Sequence, residues 1–287
     1  MRVSVIGLGL IGGSLALGTR ARGYDRDPSV RARARARGVD AAETLADAVR
    51  DADVVVAAVP PPALGPVLAD VAQVVPTGVL TEVTSSKRGL DALGAVLPAG
   101  VRLVGSHPMA GSTRSGIAAA DPTLFRDRPW LLVPGPRSDA AAMARVGELA
   151  RSVGARPIVT SVDRHEELMT NVSRLPLVLA AALMRAAARF PEVQLEGAVG
   201  ADFLALVAGP GFLDTTRLAG TPVDLALELV LADPDALAGA VDDLTRVLGP
   251  LAGALRARDQ GALAEWLGAA AAARAQLDGA RDESTPK

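Results

Sequence analysis

Through its first half the chain alternates short apolar runs with amphipathic stretches, and no other feature limits its possible folds as much. Arg2–Ile6, Asp53–Val59, Val79–Thr84, Arg102–Ser106, Trp130–Val133 and Pro157–Thr160 each read as a buried strand bounded by turn residues. Between them, Glu43–Arg50, Pro62–Val74 and Ser138–Val153 carry apolar residues at helical spacing. Such alternation predicts βαβ units and a parallel sheet covered by helices on both faces. From about Asp163 the strand signals stop. Ala/Leu-rich amphipathic stretches follow at Glu166–Arg189, Glu196–Ala208, Pro222–Leu231, Pro234–Arg258 and Gly261–Leu277. The expectation is an α/β domain over residues 1–162 and an all-helical domain over 163–287, with the polar tail Asp278–Lys287 frayed.

Composition fits this plan and removes several function classes. Hydrophobic residues supply 49% of the chain but aromatics only 2%, so the core must be built from Ala, Val and Leu. Thirty basic against 32 acidic residues leave a net charge of −2, and no global field favours nucleic acid or an anionic membrane. With no cysteine and two histidines, disulfides, thiolate nucleophiles and a zinc site are not expected. The apolar start Met1–Leu17 is broken by Gly7, Gly9, Gly12 and Gly13 and reads as a strand entering a helix, not as a leader. A cytoplasmic protein without a membrane span is expected. Arg31, Arg33, Arg35 and Arg37 alternate with alanine; a solvated helix or a clamp for a 2′-phosphate are the two readings.

Gly7-Leu8-Gly9-Leu10-Ile11-Gly12 follows a predicted strand and opens a predicted helix, the context in which GxGxxG signifies a dinucleotide site. Gly7 would permit the turn, Gly9 would let the backbone approach a pyrophosphate, and Gly12 would let helix and strand lie close. The N–H groups from Leu10, Ile11 and Gly12 would face the phosphates. The N-terminal domain is therefore expected to be a Rossmann-type doubly wound parallel sheet. Asp25 is the acidic residue placed to bind the adenosine ribose, which favours NAD over NADP, while Arg26 beside it tempers that preference. Only 13 positions separate Gly12 from Asp25. About nine residues of helix and turn span at most about 14 Å, against about 17 Å for a five-residue strand. Either the helix is clipped or cofactor binding is impaired.

Longer segments resemble the prephenate/arogenate (cyclohexadienyl) dehydrogenases of tyrosine biosynthesis. Gly7 to Ala16 is similar to that family's opening, and Thr84-Ser85-Ser86-Lys87 resembles its Gly-Ser-Val-Lys. Gly105-Ser106-His107-Pro108-Met109-Ala110-Gly111-Ser112 is similar to its Gly-x-His-Pro-Met-x-Gly, and is the most specific match. Leu124-Phe125, Pro129-Trp130, His165-Glu166, Ser173-Arg174-Leu175-Pro176 and Asp214-Thr215-Thr216-Arg217 continue the likeness over nearly the whole chain.

The resemblance implies an NAD-dependent oxidoreductase that binds a small-molecule substrate in a cleft and forms a homodimer through its helical domain. It implies oxidative decarboxylation of prephenate or arogenate, with hydride leaving the ring carbon that bears the hydroxyl. Ser85 and His107 lie at the carboxyl ends of predicted strands, where open α/β sheets bind ligands. His107 would accept the hydroxyl's hydrogen bond and Ser85 would hold hydroxyl or imidazole in register. Arg217 would clamp a substrate carboxylate, and His165, at the start of the second domain, would make either a substrate contact or an interdomain hydrogen bond.

Two departures mark this chain. The family's Ser-His-Leu-Pro-His is Ser173-Arg174-Leu175-Pro176-Leu177 here, so both histidines are gone, and Arg174 is the group available for an anion contact. The crossover before Asp25 is short. These features keep open a non-catalytic nucleotide-binding paralogue. Another two-domain reductase would need a catalytic lysine on a helix of the second domain, and the only lysines are Lys87 and Lys287.

Overall fold

The computed structural model describes residues 1–75, 77–111, 114–188 and 201–283. The chain divides into two compact units, Met1–Met169 and Thr170–Lys287.

The first unit is built on one eight-stranded sheet. Its strands are β1 (Val3–Ile6), β2 (Arg22–Tyr24), β3 (Asp40–Ala41), β4 (Val54–Ala57), β5 (Val79–Glu82), β6 (Arg102–Pro108), β7 (Pro129–Pro134) and β8 (Arg156–Val159). They lie in the order β3-β2-β1-β4-β5-β6-β7-β8. The order reverses between β1 and β4, as in a Rossmann sheet, and a crevice opens there beyond the strand ends. Strand alternation assigns the two faces. Val3, Val5, Val54, Val56 and Val104 join one buried cluster with Trp130 and Leu149. Ile6, Val55, Ala57, Leu80 and Leu103 join the other with Leu64 and Leu68. Helices α1 (Leu10–Thr19), α2 (Pro28–Ala36), α3 (Leu45–Val49), α4 (Pro61–Val74), α5 (Leu90–Ala95), α6 (Ala140–Ser152) and α7 (Val162–Met169) complete the unit.

Three details depart from the sequence reading. The sheet is not wholly parallel, because β7 runs antiparallel to β6. Only loop and the short 3-10 turn Ile117–Ala119 connect them, with no crossover helix to return the chain in the parallel sense. β8 is an edge strand and not a buried one, leaving Ile158 48% and Val159 66% exposed. Finally, α7 belongs to the first compact unit, which runs to Met169.

The short crossover resolves as an intact one. α1 keeps 10 residues, about 15 Å of helix, and Arg20 in the left-handed region (φ 55°) turns the chain straight into β2. The economy comes from the strands: β1 has four residues and β2 three. Gly23 lets β2 sit under Leu8, where a Cβ would come 2.7 Å from Leu8 Cδ2.

The second unit opens on the π-turn Thr170–Arg174. It continues through α8 (Leu175–Ala187), α9 (Ala201–Val207), α10 (Pro210–Thr216), α11 (Val223–Val230), α12 (Pro234–Ala257) and α13 (Gln260–Glu283). The helix α13 runs through Asp278 to Glu283, so the described part of the tail does not fray; Arg274 Nε donates to Asp278 across one turn at 2.8 Å. The first residues of the expected helix Glu196–Ala208 lie outside the described residues, as does Ser112. Val162–Ala187 is long and apolar enough to cross a membrane by length and composition, with a mean hydropathy of 1.2. Its first turns nevertheless carry Asp163, Arg164, His165, Glu166 and Glu167, groups that a bilayer core disfavours.

Trp130 is fully buried and tilts against Phe125 with ring centroids 5.4 Å apart. Trp130→Ala is expected to lower stability by about 3–5 kcal/mol, the usual loss for emptying a large aromatic site. A urea midpoint within error of the parent would show that this cluster does not anchor β7.

Candidate active site

Each chemical group in the first unit stands at the end of a strand or on the helix that closes over those ends. The glycine loop leaves β1 at Gly7, whose φ of +92° belongs to the region glycine adopts freely. A Cβ on Gly12 would lie 1.8 Å from the Gly7 carbonyl oxygen, so α1 touches the loop backbone and only glycine fits. A Cβ on Gly9 would meet nothing within 4 Å. The loop is therefore tight where it packs and open where a pyrophosphate would lie, as a dinucleotide cradle requires. Leu10 and Ile11 form the first turn of α1, behind Gly9.

Asp25 sits just past β2. Its carboxylate accepts Leu8 N–H at 2.9 Å and Asp27 N–H at 3.0 Å, tying the second strand to the glycine loop. It lines a cleft of about 290 Å³ with Gly9, Val30, Arg33, Gly116 and Ile117. The nucleotide residues expected from the sequence are thus brought together.

A second cluster lies at the ends of β5 and β6. His107 is inside β6, paired with Leu131, and is half-buried. Its Nδ1 is 3.0 Å from His165 Nε2, and His165 Nδ1 is 2.9 Å from Glu166 Oε1. His165 and Glu166 are fully buried on α7. Glu166 also accepts Lys87 N–H at 2.5 Å and the Ser86 hydroxyl at 3.2 Å. These donors converge on its two oxygens, so Glu166 acts only as acceptor. In the tautomer where His165 donates from Nδ1 to Glu166, its Nε2 accepts from His107 Nδ1–H.

Lys87 supports this arrangement from below. Its ammonium is buried in an ion pair with Glu82 and donates to the Thr84 carbonyl at 2.9 Å. Burial pushes its pKa below the ordinary lysine value, and the Glu82 carboxylate opposes that shift. A lysine committed in this way shapes the β5 loop and is not the helix-borne catalytic lysine of other two-domain reductases.

The remaining expected residues are placed differently. Ser85 is half-buried three positions beyond β5, while its neighbour Ser86 is the serine that bonds Glu166. Arg174 is buried in the π-turn of the second unit and donates to Thr170 Oγ1 at 3.2 Å. Arg217 is exposed at the C-terminal end of α10. Among the described residues no group of His, Asp and Glu is disposed to hold a metal ion.

Two family models match the chain. "Prephenate dehydrogenase, nucleotide-binding domain" covers residues 16–159, and "Prephenate dehydrogenase, dimerization domain" covers residues 161–269. The chain belongs to the prephenate dehydrogenase family. This family member is therefore an oxidoreductase with a nucleotide-binding and a dimerization domain. The cyclohexadienyl dehydrogenase of Zymomonas mobilis is 31% identical over 90% of this chain and 89% of its own. Among solved structures, the arogenate dehydrogenase of Synechocystis superposes with a TM-score of 0.78 at 27% identity, covering 99% of this chain and 100% of that one. The prephenate dehydrogenase of Aquifex aeolicus, solved with hydroxyphenyl propionate and NAD+, shares the fold at a TM-score of 0.84 and 23% identity, covering 96% and 98%. The first family match begins at residue 16, past the glycine loop, so the cradle of this dehydrogenase is argued from its own geometry.

That geometry separates two neighbouring glycines. Gly12→Ala is expected to cost about 1–3 kcal/mol of stability by overpacking. Gly9→Ala is expected to leave the urea midpoint unchanged and to abolish nucleotide binding. Equal stability losses in the two variants would remove the distinction drawn here.

Proposed function

We propose that this chain oxidises and decarboxylates prephenate or arogenate with NAD, and that His107 takes the proton of the ring hydroxyl. The observation that carries the reading is the hydrogen-bonded line Glu166–His165–His107, which leaves the basic lone pair on His107 Nε2. NAD held by Gly7, Gly9, Leu10, Ile11, Gly12 and Asp25 supplies a hydride acceptor. His107 accepts the hydroxyl proton as the ring carbon loses its hydride, and the positive charge that develops is shared with His165 and opposed by the buried Glu166 carboxylate. Loss of carbon dioxide then makes the ring aromatic, and the proton on His107 returns to the phenolate oxygen. Ser85 is proposed to hold the substrate hydroxyl in register. Arg217 and Arg174 are proposed as binders of substrate carboxylates, on the grounds of guanidinium chemistry and the family likeness. The cytoplasm is the proposed location.

The test is turnover with NAD and either prephenate or arogenate, followed by absorbance of the reduced nicotinamide. His107→Asn is expected to lower kcat by about 10²–10⁴-fold, the range general base catalysis supplies. Glu166→Gln is expected to lower kcat with little change in KM. Because removing a neighbouring anion makes the imidazolium less favourable, it should also move the acidic limb of the kcat/KM profile to lower pH. An unmoved limb would reduce Glu166 to a packing role. Retained NAD binding without turnover on either substrate would point to the non-catalytic paralogue.

The proposed assembly is a homodimer through the second unit, where Leu206, Leu213, Val223, Leu227 and Leu231 are exposed on a single chain. Light scattering is expected to give twice the 29.2 kDa chain mass; a monomer at micromolar concentration would refute it.

A further inference from the structure

The arginine run is exposed at Arg33, Arg35 and Arg37, as a solvated helix would be, but its members do not all do the same thing. Residues two apart on a helix point to nearly opposite sides, and residues four apart share one. The run therefore splits into two pairs. Arg31 and Arg35 turn one way, where both meet Glu43, at 3.2 Å and 2.7 Å. They also donate to backbone carbonyls, Arg31 to Asp25 at 2.8 Å and Arg35 to Ala41 at 2.7 Å. Arg37 turns the other way and donates to the carbonyls of Ile117, Ala118 and Ala120 at 2.8, 2.7 and 2.8 Å. That segment is one wall of the Asp25 cleft, and Arg31 holds the backbone of the other. Two of the four arginines, Arg31 and Arg37, thus brace the cleft. Arg33, one turn before Arg37 on the same side, is exposed and lines it.

We infer that Arg33 lets this cleft accept NADP beside NAD by presenting a guanidinium to the 2′ position of the adenosine ribose. The inference rests on the nucleotide reading of the glycine loop and deepens it. Asp25 alone would repel a 2′-phosphate. Its two oxygens already accept Leu8 N–H and Asp27 N–H, which offsets part of its negative field, and Arg33 adds a full positive charge to the same cleft. The ribose hydroxyl of NAD remains a ligand for Asp25, while a phosphate at that position gains Arg33. The chain accordingly binds both dinucleotides, NAD the tighter.

Titration of the full-length protein with NADH and NADPH, read by nicotinamide fluorescence, tests this without requiring turnover. The parent is expected to bind NADPH no more than about tenfold weaker than NADH. Arg33→Ala should weaken NADPH about tenfold or more and NADH less than twofold, and should flatten the salt dependence of NADPH binding. Arg33→Lys, which keeps charge but loses the fork, should retain part of the NADPH affinity. Undetectable NADPH binding by a parent that binds NADH overturns the inference, as does an equal loss for both ligands or no loss for either. Failure of the parent to bind either ligand overturns the nucleotide reading itself. Arg33 is exposed, so the variants should melt within a few degrees of the parent.

Discussion

The buried carboxylate of Glu166 is the contact on which the His107 end of the first unit depends. It draws α7 onto the β5 loop through Lys87 N–H and the Ser86 hydroxyl, and it orients His165 and through it His107. A carboxylate out of water is costly unless hydrogen bonds replace its hydration. Here the donors come from a strand-end loop and from the adjoining residue of its own helix. Through these donors loop, helix and imidazole pair hold one another in a single arrangement.

At the far side of the first unit a comparable economy works with cations. The glycine loop and Asp25 are held by backbone bonds, while guanidinium groups from α2 and its C-terminal cap fasten the two walls of the Asp25 cleft to one another. Arg37 spans α2 and the Ile117–Ala120 segment with three bonds, a geometry that an ammonium could not reproduce. That segment also packs into the space left by Gly13, where a Cβ would approach Ile117 Cδ1 to 2.5 Å. The wall is therefore set by one small residue and one long one. Since it follows β6 in the chain, it joins the cofactor end of the first unit to the strand that carries His107.

Much of this was legible in the residues. The strand-helix alternation, the glycine loop, Asp25 and the His107 motif all rest on short-range pattern, and local pattern is what a sequence displays. β3 was not legible, because two residues show no periodicity, nor was the reversal of β7, which depends on how a connection packs. Among the candidate site residues, Ser85 and His107 are legible by their position near predicted strand ends, and the structure places His107 inside β6. Ser86 was passed over for its neighbour because only the loop's path decides which of two adjacent serines faces α7. Glu166 was seen as half of a His-Glu pair, but its role was invisible because its partners Ser86 and Lys87 lie 80 and 79 positions away. The alternating arginines signalled a solvated helix by composition, and their carbonyl partners lie in three separate loops and strands.

By itself, the sequence determined the class of fold, the nucleotide loop and the family, because each is written in contiguous residues whose spacing matches a backbone period or a turn. Tertiary structure alone decided that a ten-residue helix suffices between β1 and β2, that His165 serves His107, and that Arg31 and Arg37 brace a cleft that Arg33 faces. These are contacts between residues distant in the chain. Their energies depend on burial and on donor–acceptor distance, and neither exists until the sheet has brought its strand ends together.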